Sequence, residues 1–279
     1  MKLARYWAKE SRNSNTGQGQ EYELACWRGS NESEADAQAR AVEAVERLVA
    51  RVKQGEPLER YDYSEGYIRE ELIEEINSAE GELIGVVTRN RYGALVLNCE
   101  RVLFADIDIE PPGLIDKLKA LFGGRVKDRN YHLQQIESYA SEQPGIALAV
   151  YETLAGLRVV VTNRLYGAKD LGTEQLFDRL ECDPLYIKLC RTQESFRARL
   201  TPKPWRIDYS RPPNNFPRES SEARQRFNGW LKGYEQQSGS YQVCRFLKRF
   251  GDQRPLAEVE RVLKIHDRYV LSPKELPLA

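Results

Sequence analysis

The chain has few of the residues that build metal or thiol chemistry. Its two histidines, His132 and His266, lie far in sequence from the cysteines, and its five cysteines, Cys26, Cys99, Cys182, Cys190 and Cys244, are scattered with no C-x-x-C pair. A structural zinc site and a disulfide framework are therefore not expected. There is no excess charge either. Across 279 residues, 42 basic side chains balance 42 acidic ones, so no global field marks a partner for nucleic acid or membrane, and any electrostatic steering is local. No apolar stretch approaches the length of a membrane span, and nothing near the amino terminus has the apolar core of a signal peptide, so the chain reads as cytoplasmic with no membrane partner. Neither a Walker-type loop nor a G-x-S-x-G elbow occurs, which leaves P-loop hydrolysis and serine-hydrolase chemistry without local support.

What is present is concentrated in the run Val102-Leu103-Phe104-Ala105-Asp106-Ile107-Asp108-Ile109. A run this short, ending near Pro111-Pro112-Gly113, predicts a buried strand leaving its sheet. Side chains alternate along a strand, so the two carboxylates share one face, roughly 7 Å apart along the backbone. Two ionised carboxylates so placed repel unless one is protonated or a cation sits between them. Their hard oxygens favour magnesium or manganese. The alternative is that the strand has already ended and both aspartates are solvated turn or capping residues.

The elements around this strand predict an α+β fold, a mostly antiparallel sheet covered by helices. A small amino-terminal unit of sheet and helix is expected over residues 1–60, a core over 61–215 and a helical carboxy-terminal cap over 216–279. In the first unit, Tyr22 to Trp27 pairs with the segment around Ala4 to Ala8 across a polar loop. A helix then follows a capping Ser33, with Val42, Val45, Leu48, Val49 and Val52 at helical spacing. In the core a short helix is expected over Arg69 to Asn77. Hairpins follow over Leu83 to Arg89 with Gly93 to Asn98, and over Ile146 to Thr153 with Leu157 to Asn163. Helices are expected over Leu114 to Phe122 and Tyr131 to Ala140. In the cap, Ala223 to Tyr234, Val243 to Phe250 and Leu256 to Lys264 read as helical.

A second concentration of chemistry runs from Lys188 to Arg211, where Lys188, Arg191, Arg197, Arg199, Lys203, Arg206 and Arg211 far outnumber Glu194 and Asp208. Such a local excess makes an anion site. Phe196-Arg197-Ala198-Arg199-Leu200 alternates, placing Arg197 and Arg199 on one face of a strand. Trp205-Arg206-Ile207-Asp208 reads as a further short strand. The alternative is that these arginines are ordinary surface partners for the acidic amino-terminal helix. Glu152 and His132 are weaker candidates, more simply explained as an exposed strand residue and a packing residue.

An apolar strand ending in Asp-x-Asp, a helical excursion, then a hairpin whose second strand opens on a small residue resembles the catalytic core of archaeo-eukaryotic primase-polymerases. The resemblance covers roughly residues 83 to 210. Ala105-Asp106-Ile107-Asp108 matches the first motif, Ile207-Asp208 the third, and Gly156-Leu157-Arg158 stands where the family has a small residue, any residue and histidine. An RRM-like sheet is implied, together with metal-dependent nucleotidyl transfer in DNA replication or repair. Asp106, Asp108 and Asp208 would hold magnesium or manganese, and Arg158, Arg197, Arg199, Lys203 and Arg206 would grip the phosphates of a nucleotide, DNA or RNA. A metal-dependent nuclease would use the same carboxylates. A nucleic-acid-binding protein without catalysis would use only the arginines and lysine. The amino-terminal layout resembles small arm-type DNA-binding modules, with a packing or dimerisation element as the alternative.

Overall fold

The computed structural model describes residues 1–15, 21–55, 67–110 and 126–279, which divide into two compact units, Lys2–Glu70 and Glu71–Ala279 with Met1. The smaller unit is a long antiparallel hairpin, β1 (Tyr6–Asn15) and β2 (Glu21–Ser30), with helix α1 (Glu34–Lys53). Ser33 caps α1 by accepting from the Asp36 N–H at 3.1 Å, and Arg40 reaches back one turn to Asp36. Its buried stripe is Ala37, Ala41, Ala44 and Val45. Small side chains there let a helix approach a sheet closely. The pairing is shifted from the one expected: Tyr22 to Trp27 lies opposite Lys9 to Ser14 and not Ala4 to Ala8, because the polar Ser11 to Asn15 continues the ladder where a loop was expected.

The larger unit is α+β, with two antiparallel sheets of four strands in place of the single sheet expected. One has the order β3 (Glu71–Asn77), β4 (Leu83–Arg89), β5 (Leu95–Cys99), β9 (Phe196–Arg199). The other has β10 (Cys244–Phe250), β7 (Leu148–Thr153), β8 (Gly156–Val161), β6 (Phe104–Asp108). Helices α2 (Arg129–Glu142), α3 (Leu171–Arg179), α4 (Pro184–Gln193), α5 (Ser221–Ser238) and α6 (Ala257–Val270) complete it. Strands β5 and β8 are buried along their whole length. Such strands are covered on both faces and read as continuous apolar runs. Residues of both sheets join one core, which includes Val87, Leu97, Phe104, Val150 and Val159.

Three expected elements are corrected. Arg69 to Asn77 holds the edge strand β3, and Val243 to Phe250 holds the edge strand β10, so residues 216–279 are not purely helical. Trp205 to Asp208 is not a strand: Pro204–Arg206 is a 3₁₀ turn. Pro202 and Pro204 donate nothing to a ladder, and Pro204 has its φ preset for the first position of a helical turn. The helix expected over Leu114 to Phe122 and the turn at Pro111 to Gly113 lie outside the described residues. Among the described residues no helix is long and apolar enough to cross a membrane.

Candidate anion site

Strand register assembles the centre of the site. Phe246 of β10 faces Tyr151 of β7, Tyr151 faces Arg158 of β8, and Arg158 faces Asp106 of β6. Directly opposed residues share a face, so these four side chains form one row across the sheet. Arg158 is only 1% exposed, and its guanidinium forks onto Asp106, Nε to Oδ1 at 2.8 Å and Nη2 to Oδ2 at 3.1 Å. Nη1 donates to the Arg199 carbonyl at 3.0 Å. Burial alone would lower this arginine's pKa, but the Asp106 carboxylate outweighs it and holds the guanidinium above its usual range. A charge buried and forked in this way is a fixed structural pair.

The row continues into α6. Arg158 Nη1 also lies 3.3 Å from His266 Nε2, and His266 Nδ1 lies 2.8 Å from Asp267 Oδ1, which further accepts from the Tyr151 hydroxyl at 2.9 Å. An arginine only donates, so Nε2 must be the acceptor and Nδ1 carries the hydrogen given to Asp267. A second proton on His266 would set N–H against N–H. Burial and then the adjacent Arg158 push the His266 pKa down, against the pull of Asp267.

That depression has a thermodynamic sign. An unfolded histidine gains its proton near pH 6.5 and the folded one only at lower pH, so in that window the unfolded state binds more protons. Stability is therefore expected to fall as pH drops below about 6.5, by up to ~1.4 kcal/mol per unit for each such group. His132, lowered by its own burial, adds to the slope with the same sign. Thermal melts from pH 7.5 to 5 should show a shallower slope in His266→Gln, which keeps an acceptor for Arg158 and has no proton to gain. An unchanged slope would remove His266 from this account.

Beside the row lies a basic rim. In β9, Phe196 and Ala198 are buried while Arg197 and Arg199 take the other face, as the alternation predicts. Arg197 Nη1 donates to Gln193 Oε1 at 2.7 Å, at the end of α4. Arg199 has its pKa pushed down to about 10 by burial and then by Arg206 and Arg158. Among the described residues its buried Nε has no hydrogen-bond partner. Lys203 is lowered by burial, Arg199 and Arg206, and Arg206 by burial. The 3₁₀ turn brings Lys203 and Arg206 together, since Lys203 precedes it and its carbonyl accepts from the Arg206 N–H at 2.9 Å. The counter-charge for both is Asp108.

Asp108 sits exposed at the exit of β6. The surrounding protein and then Asp183 and Asp106 push its carboxyl up, against Lys203 and Arg199. Asp183 caps α4 by accepting from the Leu185 and Tyr186 N–H groups, and its own N–H donates to the Asp106 carbonyl at 3.1 Å. The backbone at this point is braced. Ile109 N–H donates to the Ala155 carbonyl at 2.7 Å, and a Cβ added to Gly156 would stand 1.9 Å from the Ile107 carbonyl oxygen. Only glycine permits that approach.

The structure thus brings together Asp106 with Arg158, and Asp108 with Arg199, Lys203 and Arg206. Asp208 does not join them as a third metal ligand. It is exposed, in the left-handed region at φ 52° just past the 3₁₀ turn. Among the described residues no three His, Cys, Asp or Glu side chains gather to hold a metal ion. Each oxygen of Asp106 accepts from Arg158, whose positive charge stands beside the carboxylate and opposes a cation there. These residues do not fit a divalent ion held by Asp106, Asp108 and Asp208. Of the weaker candidates, Glu152 is bridged by Arg129 at 2.6 Å and Arg245 at 3.3 Å, and His132 is buried against Tyr131.

Sequence reasoning missed Asp183, Tyr151, His266 and Asp267. The first had a readable signal, since Asp183-Pro184 is a capping residue followed by proline at the first helical position. His266 falls on the buried stripe Val259, Val262, Leu263, His266, Val270. A histidine at a core position of an amphipathic helix has to find a partner inside. No family model, curated protein or solved structure matches this chain.

Proposed function

We propose that this protein binds the phosphates of a nucleotide or nucleic acid at the rim of Arg199, Lys203 and Arg206, as a binding protein that carries out no metal-dependent nucleotidyl transfer. One observation carries the reading: three cations lie close enough to depress one another or share a single counter-ion, Asp108, and one of them keeps a buried donor with no partner among the described residues. Like charges held together in a partly dry site are unfavourable alone and become favourable when a multiply charged anion arrives. Phosphate supplies the charge and the acceptor oxygens. Arg158 contributes indirectly, neutralising Asp106 so that it does not repel the incoming anion.

Binding of a labelled oligonucleotide measured across a salt series tests this. Lys203→Ala/Arg206→Ala should weaken binding and flatten the slope of log K against log salt by about 0.7–0.9 for each phosphate that the variant no longer neutralises. An unchanged slope would place the phosphates elsewhere. Incubation with nucleoside triphosphates, primed and unprimed strands and manganese tests the other reading: incorporation by the wild type, abolished in Asp108→Asn, would restore nucleotidyl transfer.

A further inference from the structure

Beside the basic rim the surface carries an array of aromatic rings and cations. Tyr92 lies on the turn between β4 and β5, and Trp205 on the 3₁₀ turn between Lys203 and Arg206. The rings meet edge to face with centroids 5.0 Å apart. Arg211 lies over both, 5.2 Å from the Trp205 centroid and 5.6 Å from that of Tyr92, and Lys203 lies 5.6 Å from Trp205. Trp205 is 43% exposed.

Both supports are stiff. Asn90 accepts through its side chain from the Tyr92 N–H at 2.9 Å and the Ala94 N–H at 3.2 Å, and Gly93 turns at φ +83°. Pro204 opens the turn that carries Trp205, which the Arg206 N–H closes by donating to the Lys203 carbonyl at 2.9 Å. A large indole left 43% exposed on a rigid turn spends much of its apolar area on solvent. An exposed aromatic ringed by cations and continuous with an anion site is a surface suited to a ligand with a flat face and a charged backbone.

We infer that Trp205, seconded by Tyr92 and Arg211, is a stacking platform for an unpaired base, which makes the preferred ligand a single-stranded nucleic acid. The inference rests on the phosphate-binding reading of the neighbouring rim. Lys203 belongs to both groups, to the rim through Arg199 and Arg206 and to the array through the indole, so phosphate contacts and base contacts are adjacent, and the rim's three cations exceed the charge of one backbone phosphate. A duplex keeps the faces of its bases stacked inside and offers the indole only an edge. A base in a single strand offers its whole π face, and any of the bases can do so, so binding tolerates sequence. A base that stacks on the indole displaces a cation from the ring face, and the strand's phosphates then meet that cation in place of the ring.

The test compares three ligands of equal length by fluorescence anisotropy at fixed salt: a single strand, a blunt duplex and an abasic strand with the same phosphates but no bases. Wild type should prefer the single strand to both of the others. Trp205→Ala should weaken the single strand about 10-fold or more and leave the abasic strand unaffected, and Trp205→Phe should recover most of the loss. The variant loses its ring contact with Tyr92 and should melt slightly below the wild type, and a melt of each variant confirms that it is folded at the assay temperature. Equal weakening of the single and abasic strands by Trp205→Ala, or a duplex bound as tightly as the single strand, overturns the platform and leaves the phosphate rim standing. Failure of all three ligands to bind overturns the rim and the platform together.

Discussion

Arg158→Met is expected to cost about 3–5 kcal/mol of folding stability, the usual result of removing one member of a buried ion pair. For a unit of this size that corresponds to a fall in Tm of roughly 10 °C. Missing attraction is the smaller part of it. Asp106 would keep a carboxylate 28% exposed and facing a dry sheet surface, while His266 Nε2 and the Arg199 carbonyl would each be deprived of their donor. Arg158→Met/Asp106→Leu removes both charges and fills the space, and it should recover most of the loss, because an apolar pair of similar volume avoids the desolvation that the ion pair suffers. Denaturant melts of the single and double variants measure this directly. Two nearly neutral single variants would mean that the row is not a structural pair.

Arg199→Met is expected to act with the opposite sign, raising stability by about 1–3 kcal/mol, the scale of relieving a buried unsatisfied donor. Its Nε has no partner among the described residues, its pKa is pushed down to about 10, and two of the groups that depress it are other arginines. The bond from Arg158 to residue 199 uses the backbone carbonyl and survives the substitution. Oligonucleotide binding should fall in the same variant. Gain of stability with loss of binding is the pattern of a residue kept strained for function. A loss of stability comparable with Arg158→Met would show instead that Arg199 is structural.

Much of the fold is legible in the sequence wherever local pattern and burial agree. The hairpin over Leu83–Arg89 and Leu95–Cys99 and the one over Leu148–Thr153 and Gly156–Val161 follow from β-branched runs broken by turn residues. The two strands read as helices are both sheet edges, and both are irregular. β3 shifts register between Leu72 and Glu74 and again between Ile76 and Asn77, and β10 shifts between Phe246 and Lys248. A bulge breaks the period of two that marks a strand, and an edge half in water lacks the continuous apolar run of a buried one.

The candidate site was legible as residues and illegible as partners. Asp106 and Arg158 are conspicuous charges in apolar strands, so sequence finds both. Their pairing depends on register between strands 52 positions apart, which no local signal specifies. Local pattern alone reads Asp106 as a metal ligand and Arg158 as a phosphate ligand, whereas the register places the two in a fork with each other. Local charge excess points to Lys203 and Arg206, but the turn that joins them, closed by the Arg206 N–H on the Lys203 carbonyl, stands where the sequence predicts a strand.

The brace at Gly156 has a consequence for rates. With the Ile109 N–H bonded to the Ala155 carbonyl and the backbones at Gly156 and Ile107 in closest approach, the end of β6 and the turn into β8 move as one piece. Asp108 is therefore carried on a braced support, and on the phosphate-binding reading proposed above an arriving anion would meet this part of the charge pattern already in place among the described residues. On that reading association would be a single encounter hastened by local charge and slowed by salt, and differences in affinity among ligands would reside in how fast each one leaves.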